Sequence, residues 1–244
     1  MSGHSKWSTI KRAKGVADAK RGQTFTKLAK AISLAAKLGA NGDPNTNPRL
    51  RMVVEEARTE NMPKDNIQRA IDRGLGKLPG QTIEEVVYEG FGPSKVAFYA
   101  EGVTDNRMRT NQEMRNLFER SGGNLGNPGS VAYMFDKLGE VKVISKGGQK
   151  DLEILELIDL GAEDVEDYID ENIQKYSVYV QGSELNTMGN KITQAEYIIE
   201  SQDLVMKPNI LTEITDPEVA NKVIEFLEKL EEHDDIQKVF TNLK

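Results

Sequence analysis

The chain of 244 residues contains no cysteine and only two histidines, His4 and His233. The absence of cysteine excludes disulfides, thiolate metal sites and thiol catalysis. The two histidines stand at opposite ends of the chain, which leaves little material for a histidine metal site or a catalytic triad. No apolar run approaches the ~18 residues that span a bilayer, and the N-terminus has no apolar signal segment. The sequence therefore predicts a cytoplasmic protein without a membrane partner.

Recognisable catalytic and ligand-binding motifs are also missing. The glycine-rich segment 122–130 follows a predicted helix, precedes a predicted strand and lacks lysine, so a helix end with a wide turn fits it better than a phosphate loop. The acidic clusters 163–167 and 231–235 lack the alternating spacing and central glycine of a calcium loop, which favours a solvated acidic face. No nucleophile elbow or dinucleotide fingerprint occurs. We predict no enzyme, no catalytic residue, no cofactor, no metal and no small-molecule substrate.

Charge, by contrast, is abundant and unevenly divided. Residues 1–77 carry sixteen Lys/Arg and seven Asp/Glu, a net of +9, whereas residues 78–244 carry sixteen Lys/Arg and thirty-two Asp/Glu, a net of −16. Residues 1–40 hold nine basic residues against the single acid Asp18. Clustered Lys and Arg bind phosphates and release condensed counterions, while an acidic remainder repels the same polyanion. The division predicts that nucleic acid binds to the basic head.

Helical periodicity dominates residues 25–74. Residues 25–38 place their large apolar side chains at helical spacing, and Asn47 followed by Pro48 is typical of a helix start. Pro63 opens a third predicted helix, with Gly74 at its C-terminus. Three short helices with one apolar face each predict a small bundle.

The segment before this bundle is polar and basic. Between Ser2 and Lys14 the only large apolar side chains are Trp7 and Ile10. A solvated tail is one interpretation of such a segment. The lone tryptophan favours a different one, in which the indole stacks on a base or sugar or pins the arm to the bundle. The candidate nucleic-acid contacts are the stacking or anchoring residue Trp7 and the basic residues Lys6, Lys11, Arg12, Lys14, Lys20, Arg21, Lys27, Lys30 and Lys37.

Beyond the glycine-rich linker 74–80 the pattern changes to strands. Two strands flank a hairpin at residues 92–95, a helix starts at Asp105 or Asn106, and Val131–Phe135 is a further predicted strand. From residue 138 to 206 the order is strand, helix, strand, strand, helix, strand, which is the ferredoxin-like arrangement. The last helix and strand cannot form a core alone and are expected to complete the first sheet.

These elements predict an α+β fold with three domains. Their predicted bounds are a basic helical head at 1–77, a discontinuous central α+β domain at 80–137 plus 207–244, and an inserted ferredoxin-like domain at 138–206.

Several longer runs of residues resemble one protein family. The runs Gly-His-Ser-Lys-Trp at 3–7, Asn-Met-Pro-Lys-Asp-Asn-Ile at 61–67, Tyr-Glu-Gly-Phe-Gly-Pro at 88–93, Thr-Asp-Asn-Arg-Met-Arg-Thr at 104–110 and the segment 122–135 are similar to the YebC family. That family of probable transcriptional regulators includes the mitochondrial translational activator of cytochrome c oxidase subunit I. The resemblance covers the whole chain and implies a cytoplasmic, non-enzymatic, three-domain protein that is labelled DNA-binding or is similar to ribosome-associated translation factors.

The chain departs from the family pattern in two places, the hairpin and residue 133. The family hairpin often reads Gly-Pro-Gly-Gly, where this chain has Ser94 and Lys95, and Tyr133 replaces a frequent Trp or Phe. Mitochondrial relatives carry an extension before the first run, which here begins at Gly3, so a bacterial protein is expected.

Three functions remain open from the sequence. The head binds either promoter DNA, as a transcriptional regulator, or ribosomal RNA, as a ribosome-associated translation factor; the third possibility is a protein–protein adaptor. No helix-turn-helix or zinc finger supports base readout, and an acidic body fits ribosomal RNA beside basic ribosomal proteins better than duplex DNA. Single-stranded RNA binding by the ferredoxin-like sheet needs exposed aromatics, and the acidic neighbours of the candidates Tyr168, Tyr176 and Tyr179 disfavour it.

Overall fold

The structure is a computed structural model that describes the backbone of residues 17–78 and 82–244, with side chains described from residue 22 onwards. The chain forms two compact units. The first comprises the described part of Val16–Ser130 together with Asp216–Val239, and the second includes Val131–Thr215 with Phe240–Lys244. The α+β class is confirmed. The division into three domains with the bounds given above stays a prediction.

The head consists of helices α1 (Ala17–Leu38), α2 (Pro48–Thr59) and α3 (Lys64–Gly74). Asn47 caps α2, because its side-chain oxygen accepts a hydrogen bond from the Leu50 amide at 3.1 Å, as its position before Pro48 predicts. The same side chain donates to the carbonyl of Ala35 at 3.0 Å and so ties α2 to α1. The apolar stripes meet in a buried core that includes Ile32, Leu50, Val54, Ile67 and Ile71.

Gly74 is the last residue of α3, as predicted, and it also has a packing role. A Cβ atom at this position would lie 2.1 Å from the carbonyl oxygen of Ser33, so Gly74 is needed for the close approach of α3 to α1. The Ser33 hydroxyl donates to the Ala70 carbonyl at 2.7 Å across the same contact. The left-handed residue after the helix is Gly76, with a φ of 71°.

The first sheet has the strand order β3-β1-β2-β8. Its elements are β1 (Glu84–Phe91), β2 (Ala97–Thr104), α4 (Arg107–Arg120), β3 (Asn124–Leu125) and, from the C-terminal part of the chain, α7 (Pro217–Glu231) and β8 (Ile236–Thr241). β1 pairs antiparallel with both β2 and β3. β8 lies beside β2, so the last strand completes the first sheet as expected.

Three phenylalanines form the centre of this unit. Phe226 of α7 packs edge-to-face against Phe98 of β2 and against Phe118 of α4, with ring centroids 4.9 Å apart in both pairs. All three side chains are buried. Edge-to-face aromatic pairs stabilise a core beyond the area they bury, so α4 and α7 are fixed to the sheet by the same ring.

The second sheet has the ferredoxin-like order β5-β6-β4-β7, with antiparallel neighbours throughout. Its elements in chain order are β4 (Phe135–Ile144), α5 (Lys150–Asp159), β5 (Asp164–Asp170), β6 (Ile173–Gln181), α6 (Leu185–Gln194) and β7 (Ile198–Pro208). A core that includes Val141, Leu157, Tyr176 and Ile192 joins both helices to one face of the sheet. The order of strands and helices is as predicted.

The predicted strand Val131–Phe135 is wrong. Ala132–Met134 forms a 3₁₀ turn, closed by a hydrogen bond of 2.9 Å from the Met134 amide to the Val131 carbonyl, and β4 begins only at Phe135. The two-residue strand β3 within the glycine-rich segment was not predicted. Asn124–Leu125 pairs with the end of β1, and the chain turns at Ala132–Met134 before β4.

The hairpin between β1 and β2 is built on two left-handed residues. Ser94 has a φ of 57° and Lys95 a φ of 60°. L-residues adopt this conformation at a cost of ~1–2 kcal/mol each. The tight turn is therefore retained without its glycines, under backbone strain.

Candidate nucleic-acid interface

The lysines of α1 that the sequence predicts as phosphate contacts have protein partners in the first unit. The ammonium of Lys27 donates to the carbonyl of Glu231, at the C-terminal end of α7. Lys30 pairs with the carboxylate of Asp235 and donates to the Asp234 carbonyl at 3.0 Å. These contacts anchor α1 to the segment between α7 and β8.

Two further side chains extend this anchor along α1. Gln23 donates to the carbonyl of Glu232 at 3.0 Å, and Lys37 donates to the carbonyl of Ile83 at 2.7 Å. The polar face of α1 is thus occupied by main-chain acceptors of the same unit over four turns. The role of Lys27, Lys30 and Lys37 as phosphate contacts stays a prediction, and any such contact would compete with these bonds.

Asp235 is the most deeply buried member of the anchor. One carboxylate oxygen pairs with Lys30, and the other accepts from Thr110 at 2.6 Å, Arg109 at 3.0 Å and Thr104 at 3.2 Å. Burial works to raise the pKa of Asp235, but the hydrogen bonds from Lys30, Thr110 and Arg109 outweigh it and lower the pKa to about 2. The carboxylate is therefore charged throughout the physiological range.

A possible metal-ligand cluster adjoins the anchor. Ligand atoms of Glu113, His233 and Asp235 all lie within 4.8 Å of one another. His233 Nδ1 accepts a hydrogen bond from the Asp235 amide at 3.1 Å, and its Nε2 lies 3.0 Å from a Glu113 oxygen. The donor set does not fit a divalent cation, because the Asp235 oxygens already bind the cations of Lys30 and Arg109.

The cavity beside the anchor is a polar cleft of about 700 Å³. Its lining mixes the cations Lys30, Arg109 and Arg120 with the carboxylates of Asp105 and Glu113 and with the acidic loop before β8. Arg109 also pairs with Asp105 at 3.0 Å. Charges that neutralise one another in this way leave no single-sign surface for a phosphate chain.

Other basic side chains of the head remain available. Arg51 and Arg58 lie seven residues apart on one side of α2, and Arg73 follows Arg69 by one turn on α3. All four are exposed. No carboxylate in the described part of the chain lies within 4.0 Å of Arg51, Arg58 or Arg73, whereas Arg49 pairs with Glu85. These arginines can bind phosphate without giving up an ion pair.

The remaining predicted contacts fall where the structure gives no side chain. Lys6, Trp7, Lys11, Arg12 and Lys14 lie outside the described residues. Lys20 and Arg21 lie in α1, where the structure describes their backbone and not their side chains. Their contacts with nucleic acid stay predictions.

The tyrosines of the second sheet are not available for stacking on bases. Tyr168, Tyr176 and Tyr179 are all buried. The Tyr176 hydroxyl donates to Glu153 at 2.8 Å, and the ammonium of Lys207 lies 3.8 Å from the centre of the Tyr179 ring. Burial, reinforced by the hydrogen bond to Glu153, raises the pKa of Tyr176 to about 12. These rings hold the sheet together.

Comparison with known proteins gives the family. The description "TACO1/YebC protein N-terminal domain" matches residues 5–77, and "TACO1/YebC second and third domain" matches residues 83–243. The chain belongs to the TACO1/YebC family. The resemblance seen in the sequence is thereby confirmed.

Individual relatives of this TACO1/YebC-family chain match over its full length. A protein of Chloroflexus aurantiacus named "Probable transcriptional regulatory protein" is 44% identical over 245 residues, which cover 100% of this chain and 95% of that protein. A Geobacter sulfurreducens protein with the same designation is 44% identical over 242 residues, covering 99% and 95%. The crystal structure of a conserved hypothetical protein from Aquifex aeolicus superposes with a TM-score of 0.83 at 40% identity and covers 98% and 97% of the two chains.

Three further candidates in this TACO1/YebC-family protein, which the sequence analysis did not include, are Arg51, Arg58 and Arg73. Their signal was present, since each lies outside the apolar stripe of its helix. Among residues 17–78 and 82–244 there is also no helix long and apolar enough to cross a bilayer.

Proposed function

We propose that this protein is a non-enzymatic regulator of gene expression that binds nucleic acid through its basic N-terminal head. The carrying observation is the division of charge, +9 in residues 1–77 against −16 in the remainder. Basic clusters bind the phosphate backbone, and the acidic remainder confines that contact to the head. The exposed Arg51, Arg58 and Arg73 add further basic side chains of the head that can bind phosphate.

The contacts between α1 and Asp235 support two different roles for the basic residues of the head, one structural and one in binding phosphate. Lys27, Lys30 and Lys37 fix the helix, while the basic residues before it and those on α2 and α3 bind phosphate. A helix bundle held by several such contacts presents its basic side chains in a defined orientation. Contacts between basic side chains and phosphates fix the position of a protein on a duplex or a folded RNA, and they carry no sequence information.

The first candidate ligand is DNA. The printed names of the relatives, probable transcriptional regulatory proteins, favour this ligand. The experiment is a competition in which a promoter fragment and bulk DNA compete for the protein. Specific binders prefer their site by at least ~10³. An operator that is defined by footprinting and bound with that preference supports transcriptional control. An equal affinity for both DNAs rules out sequence-specific transcriptional control.

The second candidate ligand is ribosomal RNA, with the protein acting in translation. The acidic second unit favours this alternative, since basic ribosomal proteins beside the RNA can accept its negative charge. The experiment is sedimentation of a cell extract on a sucrose gradient. Co-sedimentation with ribosomes that is lost in high salt and after RNase treatment supports it, and absence from the ribosomal fractions at low salt opposes it.

Trp7 reports directly on the arm, because it is the single tryptophan of the chain. If the indole stacks on a base, its fluorescence should change as nucleic acid is added, and Trp7→Ala should weaken binding without lowering the melting temperature. If the indole pins the arm to the bundle, Trp7→Ala should also make the head sensitive to protease. A spectrum unchanged at saturating nucleic acid counts against stacking.

A further inference from the structure

Helix α5 of the second unit has a large apolar surface that its own core does not use. Leu157 of α5 is fully buried against the sheet. On the opposite side, Leu152, Leu155 and Ile158 are exposed by 60%, 56% and 45%. Their spacing of three residues sets them along one side of the helix. A solvated helix needs only one apolar face, so this second stripe, which we name the α5 stripe, indicates an interaction surface.

The surroundings of the α5 stripe are strongly acidic. Residues 150–171, which contain α5 and β5, hold ten Asp/Glu and one Lys, a net of −9. Some of these carboxylates are neutralised: Glu156 pairs with Lys146 at 2.7 Å and Asp167 pairs with Lys150 at 3.2 Å. Two others on α5 itself, Asp151 and Asp159, are exposed and have no basic partner within 4.0 Å in the described part of the chain.

A buried carboxylate holds the helix in place. Glu153 accepts from the Ser145 hydroxyl at 2.7 Å, from the Tyr176 hydroxyl at 2.8 Å and from the Gly148 amide at 2.8 Å. Burial acts to raise the pKa of Glu153, but these hydrogen bonds prevail and lower it. The α5 stripe is therefore presented on a fixed helix, and a rigid surface loses little conformational entropy on binding.

We propose that the α5 stripe docks a basic amphipathic helix of a partner protein. Its aliphatic side chains would cover Leu152, Leu155 and Ile158, and its Lys or Arg residues would pair with Asp151 and Asp159. Helix-in-groove recognition uses this combination of spaced apolar anchors and complementary charge. Nucleic acid and anionic lipid surfaces are repelled by the acidic segment, and a second copy of the chain would set one −9 segment against another.

The binding experiment uses the full-length protein and a defined probe. The probe is a synthetic 18-residue peptide of leucine and lysine arranged as an amphipathic helix, and its affinity is measured by isothermal titration calorimetry. The double substitution Leu152→Asn with Leu155→Asn should weaken binding about tenfold or more, as expected when central apolar anchors are lost. Ile210→Asn, at an exposed isoleucine outside this helix, is the matched control and should leave the affinity within about twofold.

The charge contribution is tested in the same assay. Asp151→Asn with Asp159→Asn should weaken binding severalfold and reduce its salt dependence, whereas Glu184→Gln, an exposed acid at the start of α6, should not. Circular dichroism and the melting temperature identify any variant that fails to fold, and in that case Ile158→Asn alone replaces the double substitution.

Three outcomes would overturn the proposal. The first is the absence of measurable peptide binding to the wild-type protein. The second is equal weakening by the Ile210 and Glu184 controls, which would mean unspecific attraction to an acidic protein. The third is a loss of duplex RNA affinity in the Leu152/Leu155 variant, which would assign the surface to nucleic acid. The proposal does not depend on the head, so its failure leaves the proposed function intact.

Discussion

Lys30 and Asp235 are 205 positions apart in the chain, and their side chains form an ion pair in the first unit, with the Asp235 side chain almost fully buried. This pair connects the start of the chain to its end. It also shows how α1 is held, since Lys27 and Lys30, which the sequence predicts as phosphate contacts, bind the end of α7 and the segment that follows it.

Removal of the lysine should destabilise the first unit. Lys30→Met removes the hydrogen bonds that the ammonium donates to the Asp234 carbonyl and to the Asp235 carboxylate. Asp235 then keeps only the hydrogen bonds from Thr104, Arg109 and Thr110. Loss of a hydrogen bond to a buried charge costs about 2 kcal/mol of unfolding free energy. Urea unfolding should show this loss, and Lys64→Met, at an exposed lysine without an ion-pair partner in the described chain, should change stability by no more than about 0.5 kcal/mol. Equal stability of the two variants would contradict the anchoring role.

Acid should weaken the same network. The folded-state pKa of Asp235, about 2, is lower than the ordinary value of 3.8. A depressed carboxyl pKa contributes stability that is present above the unfolded value and is lost as the pH falls through the folded one. The unfolding free energy should therefore decline from about pH 4 to about pH 2, and Asp235→Asn should make that decline shallower. An unchanged profile in the variant would show that other groups control the acid response.

Two glycines of the head should respond in opposite directions to alanine. At Gly74 a methyl group would collide with the Ser33 carbonyl, so Gly74→Ala should lower stability by about 2 kcal/mol through overpacking. Gly22 lies in α1 with no atom within 4 Å of the added carbon, so Gly22→Ala should raise stability by about 1 kcal/mol through helix propensity. Thermal unfolding of both variants tests the close approach of α3 to α1; a harmless Gly74→Ala would disprove it.

The β1–β2 hairpin should gain stability from glycine. Ser94 and Lys95 have positive φ values, a region that glycine adopts without strain. Ser94→Gly and Lys95→Gly should each raise the unfolding free energy by up to about 1 kcal/mol, after the larger unfolded-state entropy of glycine is offset. Gln149→Gly, at an exposed position with a φ of −74°, should give no such gain. A loss at position 94 or 95 would mean that side-chain contacts outweigh the strain.

Periodicity was sufficient to predict most elements of the fold. The ferredoxin-like order from β4 to β7 and the span of α7 follow from apolar spacing, which is a local property of the sequence. The prediction of a strand at Val131–Phe135 was wrong, because its apolar residues give the pattern of a strand although the chain turns there. The short β3 has no periodic signal, since only its pairing with β1 defines it.

The roles of individual lysines could not be predicted from the sequence. A helical wheel separates Lys27 and Lys30 from the apolar face of α1, but it cannot show that Glu231 and Asp235 lie opposite them after more than 200 intervening residues. Tertiary contacts of that separation leave no local pattern. The α5 stripe, in contrast, could have been found in the sequence, because Leu152, Leu155 and Ile158 are present in addition to the apolar residues that one buried face requires.

The measurement that tests the central claim most directly is the salt dependence of nucleic-acid binding by the full-length protein. Each neutralised phosphate releases about one counterion, so the logarithm of the affinity should fall linearly with the logarithm of the salt concentration. Charge reversal at Lys11, Arg12 and Lys14 should abolish tight binding to duplex DNA and to ribosomal RNA, because phosphate attraction becomes repulsion.

Reversal at Lys137, Lys222 and Lys229, three exposed lysines outside the head, changes the net charge equally and should preserve binding. A steep salt slope that is lost only in the head variant is the predicted result. An affinity that does not change with salt, or equal losses in the two variants, would contradict binding through the head.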